Sequence, residues 1–180
     1  MKITINFEDT YPPASIESDF SEMTFNSPQR DGADALIVVK IEPLNNPNLP
    51  NVFNLGFGPP DGNGGFRDDI KLKHTDNNKL FSTVLFHSLS FLGENPTLTI
   101  GVDGSDDIRA TLYHLMFKTN REYLDEYFIP IGVDWYVRIF RDGSYEADEL
   151  GNYVAKPRPE LFDFNRRRHD LYRYSMFRLK

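Results

Sequence analysis

Residues 97–113, TLTIGVDGSDDIRATLY, contain the strand-to-helix junction that decides the fold of this chain. The first half of the segment alternates apolar side chains with small or polar ones, which is typical of a buried strand. Gly104-Ser105 then predicts a turn, and the following residues predict a helix with Arg109 and Tyr113 one turn apart on one face. Because a helix start has unpaired N–H groups and a positive dipole end, this junction is a candidate anion site.

Segments on both sides of the junction predict further strands and one more helix. Residues 35–41, ALIVVKI, form a nearly continuous β-branched run, so we expect this strand to be central. Asp76 is a good N-cap for a helix that runs to about Leu92, with Gly93 and Pro96 as stop signals. Weaker patterns predict strands at 2–7, 20–25 and 52–57, a hairpin of 128–133 with 135–140, a short helix at 121–127, and a strand or helix at 171–179.

The order strands, helix, strand, helix, strands predicts a single α+β domain with a mixed β-sheet. We expect two main helices on one face of the sheet, and the order is also compatible with ribonuclease-H-like topology. Residues 1–155 are assigned to the α+β domain and residues 156–180 to a basic C-terminal tail that docks on it. In the second helix, the residues predicted to face the core are Ile108, Leu112, Leu115 and Met116.

The composition is that of a globular protein. With 39% hydrophobic and 14% aromatic residues, a chain of 180 residues can bury a substantial core in one domain. Cysteine is absent, which excludes disulfides, thiolate metal ligands and a cysteine nucleophile. No apolar region follows Lys2, so no signal peptide is predicted, and no run is long enough for a membrane span. We therefore expect a cytoplasmic protein that does not bind membranes.

The charge is unevenly distributed along the chain. The formal net charge is −7, yet residues 156–180 hold eight Lys or Arg against three Asp or Glu, a net +5 that leaves −12 for residues 1–155. An acidic body disfavours broad nucleic-acid binding. The basic tail could dock on that body, on a second subunit or on nucleic acid.

Most standard catalytic patterns are absent from the sequence. There is no G-x-S-x-G elbow, no P-loop and no complete G-x-G-x-x-G motif. The histidines lack metal-binding spacing, and we expect each of them at the surface or on a helix flank. They are His74, His87, His114 and His169.

Carboxylates allow an alternative hypothesis of a two-metal nuclease, which ribonuclease-H-like topology would favour. The candidate ligands are Asp9, Asp103 and Asp107, with Asp68 or Asp69. Against this hypothesis, the predicted first helix has no acidic side chain where such enzymes place a glutamate ligand. Topology alone is weak evidence for chemistry.

The remaining candidate site is the junction itself. Gly104 allows close backbone approach, Ser105 offers a hydroxyl, and the planar guanidinium of Arg109 suits a phosphate or carboxylate. Tyr113 could stack or hydrogen-bond beside it. The alternative is a structural role in which Arg109 pairs with a carboxylate and fixes the loops. The carboxylates considered are Asp68, Asp69 and Asp103.

Four segments in order resemble a family of small bacterial proteins of unknown function. They are NLGFG at 54–58, the Asp68-Asp69 pair, DNNKLFSTV at 76–84 and GSDDIRATLY at 104–113. The family shows N-L-x-F-G-D, D-x-x-K-x-x-x-T-V and G-S-T-x-x-R-x-x-L-Y motifs, and the resemblance covers about residues 20–140. Pro59 and Asp106 depart from these motifs. The resemblance implies one domain and supports the choice of site, without implying a reaction.

These observations predict a small binding or interaction protein, with a role in a toxin–antitoxin or phage-defence system as one specific hypothesis. We expect a protein partner or a homo-oligomer, with nucleotide or phosphate as the ligand and nucleic acid contacted only through the basic tail. Neither a metal nor a cofactor is predicted, and a metal-dependent nuclease or phosphoryl-transfer enzyme is the alternative. The predicted ligand-binding residues are Gly104, Ser105, Arg109, Tyr113, Asp68, Asp69, Asp76 and Lys79.

Overall fold

The computed structural model describes residues 2–67 and 70–180, and over these ranges it contains eight strands and three α-helices. The strands are β1 (Pro13–Ile16), β2 (Glu22–Pro28), β3 (Asp34–Pro43), β4 (Val52–Gly58), β5 (Thr99–Asp103), β6 (Phe128–Val137), β7 (Ala155–Leu161) and β8 (Tyr174–Leu179). The helices are α1 (Asn77–Glu94), α2 (Asp107–Thr119) and the single turn α3 (Arg121–Leu124).

The strands of the described chain form one sheet in the order β1-β2-β3-β4-β5-β8-β6-β7. Neighbouring strands are antiparallel except β4 and β5, which run parallel and are connected through α1. A parallel pair requires such a crossover, because a tight hairpin can join only antiparallel strands. The α+β class with a mixed sheet is therefore confirmed, whereas ribonuclease-H-like topology is not.

The two strands predicted to be central lie inside the sheet. β3 pairs with β2 on one side and β4 on the other, and its side chains Ile37, Val39 and Ile41 are at most 1% exposed. β5 lies between β4 and β8, with Ile100 fully buried. Continuous apolar runs suit this position, since an interior strand is covered on both faces.

The main core lies between the sheet and the helices. Leu80, Val84 and Leu92 of α1 share this core with alternate residues of β3, as the helical period of α1 predicts. The opposite face of the sheet carries a smaller cluster, in which the loop after β3 supplies Leu49 against Tyr174. The sheet is thus covered unequally, with the larger apolar layer on its helical side.

The helix starts follow the capping residues in the sequence. Asp76 and Asp106 are the N-caps of α1 and α2, and each accepts a hydrogen bond from the backbone N–H three residues later. α1 continues through Gly93 and is capped by Asn95, so the predicted stop at glycine is two residues early. Within the described residues, no helix combines the length and apolar character needed to cross a membrane.

Met116 of α2 is buried as predicted and Leu112 packs against the core, but the predicted face is wrong at two positions. Ile108 is 75% exposed and Leu115 is 39% exposed, whereas Ala110 is buried. Gly104 permits a close approach of α2, because a side chain there would crowd the backbone of Ala110. The helix approaches the end of β5 through its smallest side chain, which turns Ile108 away from the core.

The predicted first strand at residues 2–7 is wrong, although its alternation is meaningful. Ile3 and Ile5 are buried, but the segment is extended chain outside the sheet. The Asn120 side chain takes the place of a neighbouring strand: its Oδ1 accepts from Ile5 N at 2.8 Å and its Nδ2 donates to Ile3 O at 2.9 Å. A single buried amide therefore satisfies backbone groups that a ladder would otherwise pair.

The predicted hairpin around Gly132 is also wrong, because residues 128–137 form the single strand β6. Gly132 instead makes room for the Tyr172 ring, which a Cβ at that position would overlap. The predicted division near residue 156 falls within β7, and β8 pairs with both β5 and β6. Basic residues of this region contact the acidic body through Arg173–Asp107 at 2.6 Å.

Candidate functional site

A groove of about 590 Å³ lies where β4, the segment between β4 and α1, and the first turns of α1 and α2 meet. Its volume falls within the range of small-molecule sites, about 300–1,000 Å³. Residues from distant parts of the sequence line it, including Asn54 on β4, Asn77 at the start of α1 and Arg109 on α2. The chain reversals at the ends of β4 and β5 bring these residues together.

Two glycines of β4 determine how closely the following loop covers the strand. A Cβ at Gly56 would overlap the Phe66 ring, and one at Gly58 would overlap the carbonyl of Arg67. The loop is itself ordered by Asp61, whose Oδ1 accepts from the backbone N–H groups of Asn63 and Gly65. The aromatic ring of Phe66 is consequently fixed as one wall of the groove.

The strand-to-helix junction is held by carboxylates of the protein itself. Ser105 N donates to Asp103 Oδ1 at 2.7 Å, and Arg109 N donates to the N-cap Asp106 Oδ1 at 2.8 Å. Gly104 N donates to the Arg173 carbonyl at 2.9 Å. Three N–H groups that could have received an anion therefore already have protein partners.

Arg109 and Tyr113, predicted as ligand-binding residues, both line the groove. The Nε atom of Arg109 lies 3.2 Å from Asp106 Oδ2, and the side chain is 33% exposed. A guanidinium presents five N–H donors in a planar fork, which suits carboxylate and phosphate oxygens.

The other predicted site residues lie elsewhere. Asp76 caps α1, and Lys79 pairs with Asp9 at 2.8 Å and lies over the Tyr11 ring. Ser105 lines a second cavity of about 550 Å³, on the side of the sheet that carries Tyr174. Asp68 and Asp69 lie outside the described residues. Their neighbours Arg67 and Ile70 both line the groove.

The carboxylates of the nuclease hypothesis have other partners. Asp9 pairs with Lys79, Asp107 with Arg173, and Asp103 with the Ser105 N–H. Across residues 2–67 and 70–180, no group of three His, Cys, Asp or Glu side chains could hold a metal ion. The two-metal hypothesis thus has no support from the described residues and stays a prediction.

Histidine burial was predicted incorrectly at two positions. His87 and His114 are only 3% and 6% exposed. Burial lowers the pKa of both, to about 4 for His87. Both residues lie on the buried faces of helices, where the aromatic core excludes water.

Several groove residues were not predicted from the sequence. Arg67 and Lys71 supply positive charge, and Asn54 and His74 supply polar atoms. Arg67 could have been noticed as a cation beside the Asp68-Asp69 pair. His74 had no such signal, since its partners are 45 and 47 positions earlier in the chain.

Fold and groove together define a small α+β protein with a cleft of small-molecule size beside its parallel strand pair. Residues 8–147 match a family of unknown function (DUF6934), and the chain belongs to this family. The matched range contains the whole groove described above, whereas β7 and β8 lie beyond it. No curated protein and no solved structure matches the chain.

Proposed function

We propose that this protein binds a small organic anion in the groove between β4 and the first turns of α1 and α2. The observation that supports the proposal is a lining that combines apolar walls with positive charge. Phe57, Phe66 and Leu112 contribute apolar surface, and Arg67 and Arg109 are among the cations. Such a lining complements a ligand with a flat or apolar body and a phosphate or carboxylate group.

The local charge contrasts with that of the whole chain. Among the described lining residues there are three cationic side chains, Arg67, Lys71 and Arg109, against one carboxylate, Asp103. The chain as a whole carries −7. Cationic side chains in the lining attract small anions, while the net negative charge of the chain repels polyanions such as nucleic acid. The contrast therefore favours small anions over long nucleic acids.

A thermal-shift screen tests the proposal with inorganic phosphate, phenyl phosphate, benzoate and adenosine monophosphate. A ligand at a hundred times its Kd adds about 2.7 kcal/mol to the free energy of unfolding. For a chain of this size the gain raises Tm by about 5–10 °C. We expect a shift with at least one organic anion and a much smaller one with Arg109→Gln.

Arg141→Gln is the matched control, because Arg141 is an exposed arginine that does not line the groove. It should retain the full shift. The proposal is wrong if wild type gains no stability from any of the four anions, or if both arginine variants lose the shift equally.

The predicted toxin–antitoxin or phage-defence role, and the predicted protein partner or second subunit, stay predictions. The surface most suited to a protein contact is the segment 138–154 between β6 and β7. It exposes Ile139, Leu150 and Tyr153 at 61%, 87% and 68%. Several exposed apolar side chains in one segment are a feature of interaction surfaces.

A further inference from the structure

His74 contacts two polar side chains from the end of β2, at the side of the groove. Its Nδ1 lies 2.8 Å from Ser27 Oγ and 3.0 Å from Gln29 Nε2. Ser27 is fully buried and Gln29 is 8% exposed, and a β-bridge joins the backbones of Gln29 and His74. The imidazole is thus held on its Nδ1 side by buried polar groups.

The hydrogen bonds of Gln29 determine which ring nitrogen of His74 carries the proton. Gln29 Nε2 donates to the backbone carbonyl of Ser27 at 2.8 Å, so the nitrogen of this amide must face that carbonyl. Reversing the amide would place two acceptor oxygens against each other. The same amide nitrogen lies 3.0 Å from His74 Nδ1, and the Ser27 hydroxyl, 2.8 Å from Nδ1, can also donate, so both contacts are satisfied when Nδ1 accepts. Burial also lowers the pKa of His74, which favours the neutral ring.

A neutral imidazole with an accepting Nδ1 carries its proton on Nε2. Within the described residues, Nε2 has no hydrogen-bond partner, and His74 is one of the residues that line the groove. We infer that His74 is a fixed hydrogen-bond donor of this groove, whose Nε2–H selects an unprotonated oxygen of a phosphate or carboxylate ligand. This inference rests on the proposed function and specifies its ligand class.

The selection of an unprotonated oxygen follows from the fixed tautomer of the neutral ring. A histidine free to change tautomer could equally accept a hydrogen bond from a hydroxyl or an ammonium group, but the Nε2–H of this one can only donate. Together with Lys71, which also lines the groove, it supplies hydrogen-bond donors. A ligand whose polar end is itself a donor would leave these groups unpaired. Unpaired polar groups discriminate between ligands more strongly than a difference in apolar contact does. Phenyl phosphate should bind, and benzylamine, of similar shape and opposite charge, should not.

The experiment combines a tautomer measurement with binding measurements on the full chain. ¹⁵N NMR of labelled protein at pH 7.5, with His74 assigned from the spectrum of His74→Gln, should show a protonated Nε2 and an unprotonated Nδ1. Isothermal titration then compares phenyl phosphate binding by wild type, His74→Phe and His74→Gln. We expect His74→Phe to weaken binding by about 10- to 100-fold, the range for a hydrogen bond to a charged group. His74→Gln places an amide N–H near the position of Nε2 and should restore most of the affinity.

Gln29→Met provides a second variant in case His74→Phe does not fold. It removes one donor to Nδ1 without touching the groove, and it should give a mixture of tautomers together with weaker binding. A protonated Nδ1 in wild type overturns the inference whatever binds. Unchanged phenyl phosphate affinity in His74→Phe, or in Gln29→Met if the former is unfolded, overturns the inference and leaves the proposed function standing. If wild type binds none of the anions, both fail.

Discussion

His87 should make the protein sensitive to mild acid. The side chain lies on the buried side of α1, and its Nε2 has no hydrogen-bond partner among the described residues. The Phe20 ring lies 6.3 Å away, and a hydrogen bond with the Phe20 backbone opposes the effect of burial only partly. Burial lowers the pKa of His87 from 6.5 to about 4. A charged imidazole would carry a second buried N–H, at Nε2, with no hydrogen-bond partner among the described residues.

The sign of the effect follows from proton binding by the two states. Between pH 6.5 and 4 the unfolded chain protonates this histidine while the folded chain does not, so stability falls as the pH decreases. With the pKa values of 6.5 and about 4 for His87, the loss is about 2 kcal/mol at pH 5 and about 3 kcal/mol at pH 4. Above pH 7.5 the contribution of His87 to this pH dependence vanishes.

Urea denaturation of wild type and His87→Leu at pH 7.5 and pH 5.0 measures this contribution. The free energy of unfolding of the variant should fall by about 2 kcal/mol less than that of wild type. His169→Gln, which changes an exposed histidine, should behave like wild type. An equal fall in wild type and His87→Leu would refute the reasoning, because the acid sensitivity would then come from other groups.

Two further predictions concern the groove and the ion pairs of the last strands. Gly56→Ala should displace the Phe66 ring and weaken anion binding in the thermal-shift screen. The control is Gly93→Ala, because a Cβ at Gly93 meets open space, whereas Gly62 has a positive φ that disfavours alanine. Equal effects of Gly56→Ala and Gly93→Ala on anion binding would contradict the prediction. Arg166 is 12% exposed and donates to both carboxylate oxygens of Asp134, so Arg166→Met should lower the free energy of unfolding by about 3–5 kcal/mol, measured in urea. A loss below about 1 kcal/mol, typical of surface ion pairs, would show that the pair is solvated.

Local sequence patterns correctly predicted those helices and strands that depend mainly on residues nearby in the sequence. The apolar run of β3, the Asp76 cap of α1 and the strand that became β5 needed only periodicity and capping chemistry. The segment around Ile3 and Ile5 shows where this reasoning stops. Its alternation revealed burial, but the partner of its backbone is an amide more than a hundred residues away.

The candidate site was predictable to the extent that strand ends and helix starts determine it. Arg109 and Tyr113 were chosen because they follow a buried strand, and they do line the groove. Asp76 and Lys79 were chosen from the family resemblance, and they cap and brace α1. His74 depends on contacts with β2 that no local pattern reports. Which face of a helix is buried also depends on packing that periodicity does not report. In α2, Ala110 lies close to Gly104 at the end of β5.

The position of β8 has a consequence for the order in which the sheet can assemble. β8 follows the other seven described strands in sequence, yet in the described sheet it lies between β5 and β6 and pairs with both. During synthesis, β1–β5 and the β6–β7 pair are both complete before the strand that unites them exists. Each then presents an unpaired edge, and such edges are prone to pair with other chains. Until β8 is synthesised and paired, the chain is therefore more exposed to edge-to-edge aggregation than the finished sheet is.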